Sequence, residues 1–261
     1  MVPLLFGSLA LMLLGATPIF LALGVSTLLV LIFASPLQPA IMVQRLFGGI
    51  DKFALMSMPF FILAANIMGA GGIADRILKW VQLFTGRMRG GAALTTELAC
   101  MFFGALSGSS PATVAAIGGI MYPELKKDKY GEGFSIGLIA ASGSVALIIP
   151  PSLTLIVYGA ATGTSVGALF IGGIGAGIIY GLAFLIYCYL YAVKHNLPRG
   201  EKASFREIVQ VTKEAIWALG IPIIILGGIY AGVFTPTEAA GVSVVYAIFV
   251  SMFIYKEMTL R

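Results

Sequence analysis

The stretches of this sequence without a charged side chain are longer than any soluble fold needs. No Asp, Glu, Lys or Arg precedes Arg45, and none occurs from Phe134 to Val193. One membrane-crossing helix takes about 20 apolar residues, so each run holds more than one. Hydrophobic residues fill 59% of the 261 positions and charged residues 10%, against roughly a quarter charged in an ordinary soluble domain. The expected fold class is therefore an all-α polytopic membrane protein with the lipid bilayer as its main solvent. Apolar runs recur to the end of the chain, and no basic region precedes the first of them. That is not the form of a cleaved signal peptide, so the amino terminus is expected to be retained. The net charge is +5, but the basic residues gather in a few loops and form no stripe with interleaved aromatics. They report topology, and no nucleic-acid partner is expected. Cys100 and Cys188 fall in apolar segments and read as packing residues, not as a disulfide or metal pair.

Proline and charge divide the runs. Leu4 to Phe33 breaks at Ala16-Thr17-Pro18, because proline removes a helical hydrogen bond, and reads as two spans. A polar patch covers Gln44 to Lys52. A third span, Phe53 to Ala74, completes a scaffold-type region over 1–74, and a charged connecting helix over 75–91 follows. Arg76, Lys79, Arg87 and Arg89 assign that helix to the cytoplasm. From Ala92 the chain is apolar again, is broken at Ser107-Gly108-Ser109-Ser110-Pro111, and ends at Lys126, Lys127 and Lys129. Arms of about 15 and 12 residues are too short for a core of about 30 Å at 1.5 Å per residue. With basic residues at both ends, residues 92–123 read as a re-entrant hairpin. An interrupted helix over 134–161, with Pro150-Pro151 inside it, and a continuous helix over 166–193 follow. Gly173, Gly177 and Gly181 give the latter a face for close helix packing. The polar segment 196–214, with Arg199, Lys202, Arg206 and Lys213, reads as a cytoplasmic linker. Residues 215–261 then hold two further spans, about Ala215 to Val233 and Ala239 to Tyr255, ending near Lys256, Glu257 and Arg261. Alternating sides backwards from there puts the amino terminus outside.

Thr17-Pro18 with Gly24-Val25-Ser26 recurs, one residue slipped, as Thr235-Pro236 with Gly241-Val242-Ser243. The two copies would lie in opposite orientation, as inverted-topology repeats require. The first repeat would then run to about residue 195, and the chain would hold only the start of the second. A truncated or split protein is the expectation that follows.

The hairpin tip and the double proline are the two places where backbone at membrane depth is not helical. Such backbone is tolerated only where it is buried in protein or lines a polar cavity. Pro111 leaves the Ser107 carbonyl without its helical donor, and Pro150 and Pro151 do the same to Ala146 and Leu147. Freed carbonyls aimed at one point suit a hard cation such as sodium, and the tip adds the hydroxyls of Ser107, Ser109 and Ser110. Ser110-Pro111 reads as an N-cap and N1 pair, so the second arm would turn a positive helix end toward an anionic substrate. The alternative is a pair of ordinary kinks repaired by neighbouring serines. His195 reads as solvated at a helix end. Glu238 completes a capping box with Thr235. Glu97, in the first hairpin arm, reads as an interfacial carboxylate that snorkels or pairs with Arg89. No transition-metal site, phosphate loop or nucleophile–His–acid set is read, so no enzyme is expected.

The tip from Gly104 to Gly118, GALSGSSPATVAAIG, resembles the large membrane subunit of tripartite ATP-independent periplasmic (TRAP) transporters, the DctM family. Met58-Pro59-Phe60-Phe61, Leu147-Ile148-Ile149-Pro150-Pro151-Ser152 and Phe234-Thr235-Pro236-Thr237-Glu238-Ala239-Ala240 extend the resemblance, in the family's order, over essentially the whole chain. It implies an inverted-repeat, elevator-type secondary transporter of the bacterial inner membrane, driven by sodium and importing a small organic acid anion. A periplasmic binding protein would deliver the substrate, and a small membrane subunit would complete the assembly. Carried over by motif, the first sodium site uses backbone oxygens of Ser107, Ser109, Ala146, Ile149 and Pro151. Ala146 stands where the family often has glycine. Ser110, Thr113 and Ser152 are expected to face the substrate. A second sodium site belongs to the second repeat, and nothing here is assigned to it. No organic cofactor is implied. A channel or passive pore subunit would also use broken helices and carbonyl-lined sites, and is the alternative reading.

Overall fold

The computed structural model describes residues 1–199 and 204–258, so Lys202 and Arg261 lie outside the described residues. Every regular element among these residues is helical. Two compact units divide the chain, residues 1–52 and the remainder.

The first unit holds α1 (Val2–Leu14), α2 (Ile19–Phe33) and α3 (Ala40–Ile50). The break falls at Ala16-Thr17-Pro18 as expected: Ala16 takes φ +55°, and the Thr17 hydroxyl donates to the Met12 carbonyl. At 13 and 15 residues, α1 and α2 are shorter than the two full spans read from sequence, because the break consumes the middle of the apolar run. The polar patch at Gln44 to Lys52 lies mostly in α3, in its C-terminal half, with its polar residues on one side of an otherwise apolar helix.

The second unit begins with a 3₁₀ turn, Phe53–Met56, leading into α4 (Ser57–Ala70) and α5 (Ile73–Thr85). The third span stops at Ala70 rather than Ala74, because Gly71-Gly72 turns the chain, with Gly72 at φ +70°. The hairpin arms are α6 (Gly91–Ser107) and α7 (Ser110–Lys127), 17 and 18 residues long. They are longer than the arms read from sequence, since α7 continues through Pro123 to Lys127, yet both remain shorter than a roughly 30 Å core requires. The interrupted helix is α8 (Glu132–Gly143), a 3₁₀ turn over Ser144–Leu147, an irregular stretch and α9 (Leu153–Thr162). α10 (Val166–Lys194) is continuous. The segment read as a linker is helical from Phe205, where α11 (Phe205–Tyr230) starts on a capping box formed by Ser204 and Glu207. The box outweighs the polar composition that follows it. α12 (Pro236–Phe249) starts on the expected Thr235–Glu238 box and runs on into a π turn, Val250–Ile254.

Among the described residues, four helical segments are long and apolar enough to cross a membrane: Phe53–Ala70, Val166–Lys194, Phe205–Tyr230 and Pro236–Ile254. Their outward faces carry large apolar side chains, such as Ile179 at 72% and Ile223 at 68% exposure, a surface that lipid covers and water would penalise. The chain is thus a multi-pass membrane protein. One core joins α4, α5, α11 and α12 around Phe61, Met68, Ile77, Ile221 and Ile225. Two others surround α6, one with α5, α7 and the break in α8, the other with α7, α8 and α10. The glycine face of α10 packs as expected. A Cβ at Gly173 would lie 2.5 Å from the Ile148 carbonyl oxygen, one at Gly177 2.3 Å from Ile149 Cγ1, and one at Gly181 2.4 Å from Met101.

Candidate functional site

Two helix interruptions face each other at the centre of the second unit. α6 ends because Gly108 takes φ +59°, the left-handed conformation that glycine adopts without penalty. Its N–H donates to the Gly104 carbonyl at 2.8 Å, and its own carbonyl accepts from Leu153 N–H at 3.3 Å. Hairpin tip and broken helix are therefore joined backbone to backbone. No side chain fits between them. A Cβ at Gly108 would sit 2.7 Å from the Pro151 carbonyl oxygen, and one at Gly104 would sit 2.8 Å from Ala146 Cβ.

The residues singled out from sequence meet here. Ser107, Ala146, Pro151, Thr113 and Ser152 are buried, while Ser109, Ser110 and Ile149 are half-buried. Among the described residues, no backbone N–H outside the helical ladders donates to the carbonyl of Ser107, Ala146, Ile149 or Pro151. Pro111 and Pro150, four residues beyond Ser107 and Ala146, have no N–H to offer the first two. The Pro150–Pro151 peptide is cis. All four carbonyls belong to the two interruptions that meet at this junction, where backbone without a ladder partner needs some other group to satisfy it.

Hydroxyl groups at the junction also bond to the protein itself. The Leu147 carbonyl freed by Pro151 is taken by the Ser152 hydroxyl at 2.7 Å, which also accepts from Leu155 N–H at 3.4 Å as the N-cap of α9. At the tip, the Ser107 and Thr113 hydroxyls lie 2.9 Å apart, and Thr113 donates from both its hydroxyl (2.9 Å) and its N–H (3.0 Å) to the Ser109 carbonyl. The N-cap of α7 is Ser109, with Ser110 and Pro111 inside the first turn, one residue earlier than the sequence reading. The reason is local: Ser109 is extended, at φ −131° and ψ 117°, and its carbonyl already accepts the first helical bond of α7. Ser110 opens that helix half-buried.

Two features of the site escaped the sequence. Tyr180, on α10, reaches the break in α8, where its hydroxyl lies 2.8 Å from Ser144 Oγ and donates to the Ala141 carbonyl at 3.2 Å. Nothing in the sequence of α10, which carries Tyr187, Tyr189 and Tyr191 as well, sets this tyrosine apart. Glu97 is the second. It is fully buried, not interfacial, and forms no ion pair with Arg89 among the described residues. The carboxylate and the buried Ser142 hydroxyl are polar neighbours, but no well-formed hydrogen bond joins them or ties either to another group. Helices α7, α8 and α10 close over this arm from both sides, which a linear reading of α6 could not show. His195 stacks on Tyr191, ring centroids 4.2 Å apart, at the exposed end of α10.

An unpartnered carboxylate at this depth costs several kcal/mol if it is ionised. Glu97→Gln is therefore expected to leave the melting temperature in detergent unchanged or higher. A fall of several degrees would show that the charged form is held by a partner.

Residues 6–261 match the family model described as tripartite ATP-independent periplasmic transporter, DctM component. Among curated relatives, the C4-dicarboxylate TRAP transporter large permease protein DctM of Vibrio cholerae is 44% identical over 95% of this chain and 55% of its own length. The ectoine TRAP transporter large permease protein TeaC of Halomonas elongata is 43% identical over 85% of this chain and 52% of its own. The isethionate TRAP transporter permease protein DctMQ of Oleidesulfovibrio alaskensis is 42% identical over 98% of this chain and 41% of its own. The chain thus spans about half the length of the curated relatives it matches, and those relatives are named as permeases, not as enzymes.

Proposed function

Since this chain belongs to the family of DctM components of tripartite ATP-independent periplasmic transporters, we propose that it forms part of a sodium-coupled permease of the bacterial inner membrane, importing a small acidic solute. A periplasmic binding protein hands over the substrate, and a small membrane subunit completes the transporter. The observation that carries the sodium assignment is the junction of hairpin tip and broken helix. It gathers carbonyls without backbone donors and contains no carboxylate, an arrangement that suits a weakly bound monovalent cation better than a divalent one. Backbone oxygens of Ser107, Ala146, Ile149 and Pro151 form the shell. Ser109 contributes through whatever capacity its carbonyl retains beside Thr113. Ser110, with Thr113 and Ser152 behind it, faces the substrate at the first turn of α7, where the helix end favours an anion.

Residues 92–195 act as the moving, elevator-type body, and the spans of 1–74 and 215–261 act as the scaffold. Packing of α4 along α12 supports the grouping of the last two regions. An inverted repeat is supported by the similar openings of α2 and α12: Pro18 precedes α2 and Pro236 begins α12, and the serines that follow in each, Ser26 and Ser243, are both buried. The relatives are named for C4-dicarboxylates, ectoine and isethionate, so the substrate class is a small hydrophilic solute bearing an acidic group.

Proteoliposomes holding the complete permease, its small subunit and the binding protein provide the test, with labelled succinate, isethionate and ectoine as probes. Accumulation of one of these that needs both an inward sodium gradient and the binding protein is expected. Downhill flux that needs neither would point to a passive pore.

A further inference from the structure

Three arginines meet where the ends of α5 and α10 come together. Arg87 and Arg89 follow α5, Arg199 follows α10, and Arg89 and Arg199 pair as an isolated antiparallel bridge. Two cationic residues are thereby set directly opposite each other, a placement that is unfavourable without a counter-charge. With Met88 and Tyr189 the three line a cavity of about 370 Å³. Among the described residues the ion pairs are Arg76–Glu257, Lys126–Glu132 and Lys127–Glu124, and none of them involves this cluster. Guanidinium groups present a planar fork that matches a phosphate oxygen pair, and a tyrosine hydroxyl adds a donor.

We propose that this cavity binds a phosphate group, and the surroundings favour a membrane phospholipid as its source. From Tyr189 the outward face of α10 continues through Leu190, Ile186, Leu182 and Ile179, exposed by 59%, 60%, 52% and 72%. Their spacing keeps them on one side of the helix, so a track for an acyl chain starts at the cavity and runs away from it. A tyrosine between a basic cluster and an apolar face is the usual composition of a membrane–water boundary. The proposal rests on the membrane reading of the chain, and neither sodium coupling nor substrate identity enters it.

The test is native mass spectrometry of the purified permease in detergent, titrated with phosphatidylglycerol or phosphatidylcholine, beside a thermal-shift titration with inorganic phosphate. Each arginine near a membrane surface is worth about fivefold in affinity for an anionic lipid. Wild type is expected to retain phosphatidylglycerol over phosphatidylcholine, and the Arg87→Gln, Arg89→Gln, Arg199→Gln triple variant to lose roughly a hundredfold of that preference. A Lys126→Gln, Lys127→Gln variant, altered at the exposed end of α7, should keep it. If instead inorganic phosphate stabilises wild type but not the triple variant, while lipid retention is equal in both, the site takes soluble phosphate. Equal lipid retention and equal phosphate response in the wild type and the triple variant would overturn the proposal.

Discussion

Gly104→Val is expected to collapse sodium-driven uptake while leaving the protein folded in the membrane. A Cβ at this position would lie 2.8 Å from Ala146 Cβ and 2.9 Å from Ala146 Cα, so a side chain here meets backbone that has no free end to swing aside. The hairpin tip must then move away from the broken helix. Overpacking of this kind costs about 1–3 kcal/mol. Concentrated on the ion shell, that cost would raise the sodium concentration for half-maximal uptake by roughly 5- to 150-fold. Gly119→Val is the matching control, since a Cβ there would meet nothing within 4 Å, and it should transport like wild type. Sodium-dependent uptake of labelled substrate, read beside the amount of folded protein in the membrane, distinguishes the two. Wild-type sodium dependence in Gly104→Val would detach the Gly104–Ala146 contact from ion binding.

Much of this junction was legible in the sequence because proline acts locally. Pro111 and Pro150-Pro151 remove N–H groups whatever the rest of the fold does, so the helix breaks and the freed carbonyls of Ser107 and Ala146 could be read without knowing their neighbours. The glycines of α10 were legible for a similar reason, since a run of small residues at one helical face has few uses other than close approach. What failed depended on partners distant in sequence or on competition between local signals. Leu147 loses its donor to Pro151 and regains one from Ser152, so counting missing N–H groups overestimated the free carbonyls by one. Glu97 looked interfacial because its burial is imposed by helices that follow it in sequence. The start of α11 was hidden by a polar segment, although Ser204 and Glu207 stand in the order of a capping box.

The second large effect concerns the carbonyls themselves. In Pro111→Ala and Pro150→Ala an N–H returns four residues beyond a carbonyl that now has no backbone donor, that of Ser107 in the first case and of Ala146 in the second. Partial rewinding would turn that oxygen into the helix and away from a cation. Losing one ligand of this kind is worth about 1.5–3 kcal/mol, so the sodium requirement should rise by at least about tenfold. Thermal stability should hold, since Pro111 stands in the first turn of α7, where proline is tolerated, and Pro150 lies in the irregular stretch outside any helix. Ser109→Ala keeps its backbone oxygen and should change sodium dependence far less. If the prolines only bend helices, the same two substitutions would leave sodium dependence where it was.

The central claim, that a cation is held by backbone oxygens freed at the two helix breaks, is tested most directly by the half-maximal sodium concentration for uptake in Pro150→Ala. The measurement uses proteoliposomes of the complete transporter, with folding verified by thermal denaturation. A rise of about tenfold or more at undiminished stability is the predicted result; an unchanged sodium requirement in the folded variant would contradict it.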